Sequence, residues 1–135
     1  MKTLVLILSL VAFISLTGKT QTQAKVIAVV NEAEWCGTCQ KHGERAMSVL
    51  TENNPDGKVL FIMNNVTNDE TKKNSEEKLK EYGLDEVMND HKATGVAYFF
   101  NAENNLLVNR ISLSRKDQEL IEAIQTAIKK VKNLE

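Results

Sequence analysis

The stretch Val26-Ile27-Ala28-Val29-Val30-Asn31-Glu32-Ala33-Glu34-Trp35-Cys36-Gly37-Thr38-Cys39 decides the fold. Its first five residues are apolar and mostly β-branched, the pattern of a central strand covered on both faces. From Cys39 onward, Gly43, Ala46, Met47 and Leu50 recur at helical spacing and put small and apolar groups on one face. A buried strand therefore gives way to a helix at the two cysteines. The first turn of a helix presents unpartnered N–H groups and the positive end of its dipole, so thiolate is favoured at the first sulfur, Cys36.

Working outward, residues 53–57 contain the only proline and end this helix, and residues 59–63 read as a second buried strand. Residues 69–82 are polar and helix-compatible, anchored by Leu79 and Tyr82, with Gly83 as a left-handed stop. Residues 96–100 and 106–111 flank a polar turn and predict an antiparallel hairpin. Ser114 and Asp117 have capping-box-like spacing ahead of an apolar stripe at Leu120, Ile124, Ala127, Ile128 and Val131, which predicts a packed terminal helix. The order β-α-β-α-β-β-α implies an α/β fold with a mixed central sheet and helices on both faces.

The amino terminus has a different character. Lys2 precedes an apolar run over residues 4–16, broken only by Ser9 and Ser15, and residues 17–23 are polar. Such a run is shorter than the roughly 20 residues that span a bilayer and reads as a secretory signal, with Thr22-Gln23-Ala24 supplying small residues for cleavage after Ala24. A retained anchor and a buried first strand are the alternatives. The expected division is a signal peptide over 1–24 and one domain over 25–135, consistent with 42% hydrophobic and 26% charged residues in a 135-residue chain. The expected destination is the periplasm or the cell exterior, with membrane contact only through an uncleaved leader. Loss of Lys2 and Lys19 with the leader takes the formal charge from −1 to −3. Lysines and glutamates alternate along helical faces without forming a basic patch, which argues against nucleic-acid binding.

Cys36 and Cys39 are the chain's two cysteines, and their spacing permits a short, reducible disulfide. A purely structural bridge is the plain alternative, but closing so short a loop adds little stability. A thiolate at Cys36 can enter a disulfide by exchange and later leave readily.

The string Ala33-Glu34-Trp35-Cys36-Gly37-Thr38-Cys39 after an apolar strand resembles the active site of the thioredoxin family, and the order of elements from Val26 to Val131 resembles the thioredoxin fold. The leader and small size are similar to those of extracytoplasmic bacterial thioredoxin-like proteins. The resemblance implies a thiol–disulfide oxidoreductase without a bound cofactor, acting on protein thiols or disulfides, leaning toward reduction, and reset by a redox partner. It implies an exposed nucleophile at Cys36, a buried resolving thiol at Cys39, and Trp35 shaping the docking surface. Gly37 and Thr38 lie between the sulfurs. Thr38 stands where thioredoxins have proline, and potentials across the family run from about −270 to −120 mV.

Three positions depart from that pattern. Val96 falls where the family has a cis-proline facing the disulfide; a cis bond before a non-proline residue costs about 3 kcal/mol, so a trans bond is expected. Val30 falls at the family's buried acid and Met63 near its accompanying lysine. Glu32 is the candidate to assist proton transfer in their place, with a merely solvated glutamate as the alternative. The connection between Gly83 and Val96, carrying Met88, Asp90 and His91, either overhangs the cysteines or is an ordinary surface loop. Two other classes compete: a metal module using Cys36, Cys39 and His42 or His91, and a chaperone-like domain whose cysteines are incidental.

Overall fold

A computed structural model describes residues 24–134, so the expected leader, apart from Ala24, lies outside the described residues. Among the described residues no helix is long and apolar enough to cross a membrane. The elements are β1 (Val26–Glu32), α1 (Gly37–Glu52), β2 (Val59–Asn65), α2 (Asp69–Lys80), β3 (Val96–Asn101), β4 (Leu107–Ser112) and α3 (Asp117–Lys132). This is the order the sequence predicts.

The sheet runs β2-β1-β3-β4, with β1 parallel to β2 and antiparallel to β3, and β3 antiparallel to β4. β1 is thus central, which explains its continuous apolar run: Val26, Ala28 and Val30 face one layer and Ile27 and Val29 the other. Ala46 and Leu50 of α1 and the stripe of α3 cover the first face; Leu79 of α2, with Leu84 and Met88, covers the second. The thioredoxin-like arrangement of a mixed sheet between helical layers is therefore present in full.

β1 and β2 each run two residues past their apolar runs, because Asn31↔Asn64 and Glu32↔Asn65 continue the parallel ladder. α2 is largely exposed, as its polar sequence predicts, and is capped by reciprocal 3.0 Å bonds between Asn68 and Thr71. The capping expected at Ser114 is corrected. β4 continues to Ser112, so Ser114 falls in the following turn and bonds the Ser112 hydroxyl; α3 starts later, where the Lys116 N–H donates to Glu119 Oε2 at 3.0 Å. Arg45 of α1 fastens this turn by donating to the carbonyls of Leu113 and Arg115, each at 2.9 Å, and by pairing with Asp117.

Candidate active site

The end of β1 and the start of α1 bring the two cysteines together. They form a disulfide with a Cα–Cα separation of 5.2 Å. Cys36 is the residue before the helix proper, in extended backbone geometry, and its Sγ accepts the Cys39 N–H at 3.1 Å. That contact satisfies one of the orphan donors of the first turn with sulfur, the arrangement that favours negative charge on Cys36 once the bond is reduced.

Exposure is the reverse of what the family resemblance implies. Cys36 is only 5% exposed, whereas Cys39 is half-buried. The segment entering β3 runs beside Cys36. Gly95 has φ +70°, and a Cβ built there would lie 3.5 Å from Cys36 Sγ and 2.8 Å from both Cβ and Cγ2 of Thr38. Every peptide bond among the described residues is trans, as expected at Val96. Gly95, the residue before Val96, lies beside Cys36 and Thr38. Strand alternation turns Val96 toward the α2 face, where it packs with the second core. Thr38 is the partner of this contact, while a Cβ at Gly37 would meet nothing within 4 Å, leaving the outer side of the motif open.

Trp35 does not fill the core. It is 62% exposed, and its indole N–H donates to the Thr67 carbonyl at 3.0 Å, while the neighbouring Glu34 N–H donates to Thr67 Oγ1 at 3.0 Å. The loop between β2 and α2 therefore fixes a large aromatic face beside the disulfide. Trp35 also stands at the end of a groove of about 700 Å³ between α2 and the loop before β3, with Asn31, Asn64, Leu79 and Met88 among its lining.

On the other side of the motif, Cys39 lines a cavity of about 210 Å³ with Glu32, Glu44, Val30 and Met63. The ladder pairs Val30 with Met63, so both positions that depart from the family pattern are opposite each other beside Cys39. Glu32 thus shares a cavity with the second cysteine.

The loop before β3 does not overhang the cysteines along its length. Met88 is buried against the second face of the sheet, and the His91 ring lies 5.1 Å from that of Tyr98 and 5.7 Å from that of Phe100. Asp90 is exposed, and Gly95, at the end of this connection, lies near the disulfide. His91 is accordingly on the face opposite α1, remote from a ligand set with His42, and no group of three or more His, Cys, Asp or Glu side chains among the described residues converges as a metal site.

Two residues that the sequence analysis left without a role belong to the site. One is Gly95; the other is Asn31, 1% exposed, whose side chain bonds the segment leading to Gly95. The pairing of two polar residues after two apolar runs, Asn31 and Asn64, was the available signal for the second.

A mixed β2-β1-β3-β4 sheet with a two-cysteine turn at the start of the helix after its central strand defines a thioredoxin-fold protein with a redox-capable pair. Among solved structures, the chain is similar to Trxlp from Edwardsiella tarda EIB202, at 14% identity and TM-score 0.48 over 76% of this chain and 84% of that one. It is likewise similar to Fasciola hepatica thioredoxin, at 18% identity and TM-score 0.48 over 77% of this chain and 82% of that one. No family model and no curated protein matches the sequence.

Proposed function

We propose that this chain is a thiol–disulfide oxidoreductase that exchanges its Cys36–Cys39 pair with client proteins outside the cytoplasm. The observation that carries the reading is Cys36 placed before the first turn of α1, accepting the Cys39 N–H, one helical turn from a second thiol. In the reducing direction the Cys36 thiolate attacks one sulfur of a client disulfide. A Cys36–client disulfide forms and one client thiolate leaves. Cys39, losing its proton, then attacks Cys36 Sγ; the second client thiolate leaves and Cys36–Cys39 is restored. The client gains two electrons from the pair and two protons, one from Cys39 and one from solvent, and a dithiol donor must reduce the pair again. Oxidation of clients is the same sequence reversed.

The exposed Trp35 beside the motif supports a protein client, and the apolar leader with its small-residue exit supports export. The test is equilibration of the oxidised protein in glutathione buffers with thiol trapping. A reversible two-electron couple is expected, and Cys39→Ser should accumulate client-linked Cys36 disulfides that Cys36→Ser does not form. Absence of a reversible couple would overturn the reading. A couple below about −220 mV supports a reductase and one near −120 mV an oxidant.

A further inference from the structure

Beside Cys36 runs a short segment whose end, Gly95, is held by main-chain bonds to the Asn31 carbonyl and from the Leu113 N–H, each at 2.8 Å, and whose residues 91–93 are held by one side chain. The Asn31 amide N–H groups donate to the carbonyls of His91 at 2.7 Å and Ala93 at 3.1 Å. Its Oδ1 accepts the Asn64 amide at 2.8 Å, and its main-chain carbonyl accepts the Gly95 N–H at 2.8 Å. These bonds bracket residues 91–95 and end at the glycine whose backbone lies against Cys36. Asn31 is nearly completely buried at the end of the strand that leads to the cysteines. A buried amide is tolerated only where its polar atoms are matched, and here the matches are the segment's own carbonyls.

We propose that Asn31 is a positioning residue for exchange at Cys36: its amide ties residues 91–93 to β1 and so backs the main-chain bonds that keep Gly95 beside the nucleophilic sulfur, governing access to it. The functional meaning rests on the exchange reading above, while the tether itself rests on the bonds just described. Entry of a client sulfur then requires the segment to yield, and the strength of the Asn31 bonds sets how readily it does.

Asn31→Asp separates this role from simple packing. The aspartate is nearly isosteric and still accepts from Asn64, but it turns an acceptor toward two carbonyls that need a donor. Asn64→Ser is the counterpart that disturbs the same buried cluster and leaves both segment bonds intact. The assays are hydrogen exchange at the Gly95 amide and iodoacetamide alkylation of reduced Cys36, followed by mass spectrometry across pH 6 to 9. Asn31→Asp is expected to speed both by at least about fivefold, the factor corresponding to one net hydrogen bond, with alkylation compared on the high-pH plateau where Cys36 is fully thiolate in both proteins, because the new carboxylate also disfavours the thiolate below it. Asn64→Ser is expected to stay within about twofold of the unaltered protein, because it removes no bond to the segment. The proposal is overturned if Asn31→Asp leaves the plateau alkylation rate and Gly95 exchange unchanged, or if Asn64→Ser acts equally. Should the aspartate variant fail to fold, Asn31→Ser is judged by the same thresholds. Neither assay needs turnover, so a protein that fails to equilibrate with glutathione would refute the exchange reading without touching this test.

Discussion

Gly95→Ala isolates the contact on which the site's closure depends. Two penalties add at this position. A side chain at φ +70° brings the left-handed penalty of about 1–2 kcal/mol. The new methyl would also lie 2.8 Å from both Cβ and Cγ2 of Thr38, where backbone atoms on either side must shift; overpacking of this kind costs about 1–3 kcal/mol. Together they predict a loss of roughly 2–5 kcal/mol, and at about 1.5 kcal/mol per molar the urea midpoint should fall by roughly 1–3 M. Thr38→Gly removes both atoms that the methyl meets. It should therefore recover the steric part in the double variant, with a coupling of at least about 1 kcal/mol after allowing for glycine's own helix penalty. Equilibrium urea unfolding of the four proteins, all oxidised, measures this cycle. A loss below about 1 kcal/mol, or additivity within about 0.5 kcal/mol, would refute the placement of Gly95 against Thr38.

Arg45→Ala should destabilise by about 1–2 kcal/mol, because two main-chain carbonyls in the turn before α3 lose a charged donor, whereas Asp117→Ala should cost less than about 1 kcal/mol as one half of a solvated ion pair; chemical unfolding of the two variants side by side decides this. Trp35→Ala should leave the unfolding midpoint nearly unchanged, since the indole is mostly in solvent, while raising KM for a protein disulfide much more than it changes kcat. Equal falls in kcat and kcat/KM would count against a docking role. Lys78 and Lys80 hold their protons more firmly than the ordinary 10.5, chiefly because Glu81 and Glu76 accept their hydrogen bonds. A raised lysine pKa gives stability that is present below 10.5 and is lost as pH rises through the raised value, but both side chains are exposed, where the effect is screened. Lys78→Gln and Lys80→Gln should therefore leave the pH 7 urea midpoint unmoved, and a marked fall in either would refute that reasoning.

The features legible in the sequence were those written in local pattern. The run at Val26 to Val30 could belong only to a strand covered on both faces, and the spacing after Cys39 only to a helix, so the cysteines had to lie at their junction. Gly95 was not legible, because a glycine before a strand reads as an ordinary turn; its contact is with Thr38, far away in sequence. Asn31 reads as the polar end of a strand until the β1–β2 ladder places it opposite Asn64 and the His91 and Ala93 carbonyls close over it. The reversed exposure of the cysteines follows from these two contacts and has no local signature.

That reversal separates two properties that a small redox site can join in one residue, access and charge. On the side of charge, Cys36 receives the Cys39 N–H and the start of α1, both of which favour thiolate there. Cys39 meets the opposite conditions. Its sulfur lies 3.8 Å from the Asn31 carbonyl, which can accept an S–H but repels a thiolate, and its cavity contains two carboxylates, Glu32 and Glu44, beside apolar Val30 and Met63. In the proposed exchange, these surroundings favour negative charge on Cys36 and leave the proton to Cys39 after reduction. On the side of access the order is inverted, since the charged sulfur is the covered one. Asn31 stands on both sides of this division: its side chain holds the cover over Cys36, and its carbonyl faces Cys39. On the proposed exchange reading, a client that displaces residues 91–95 gains access to Cys36 through the contact Asn31 holds.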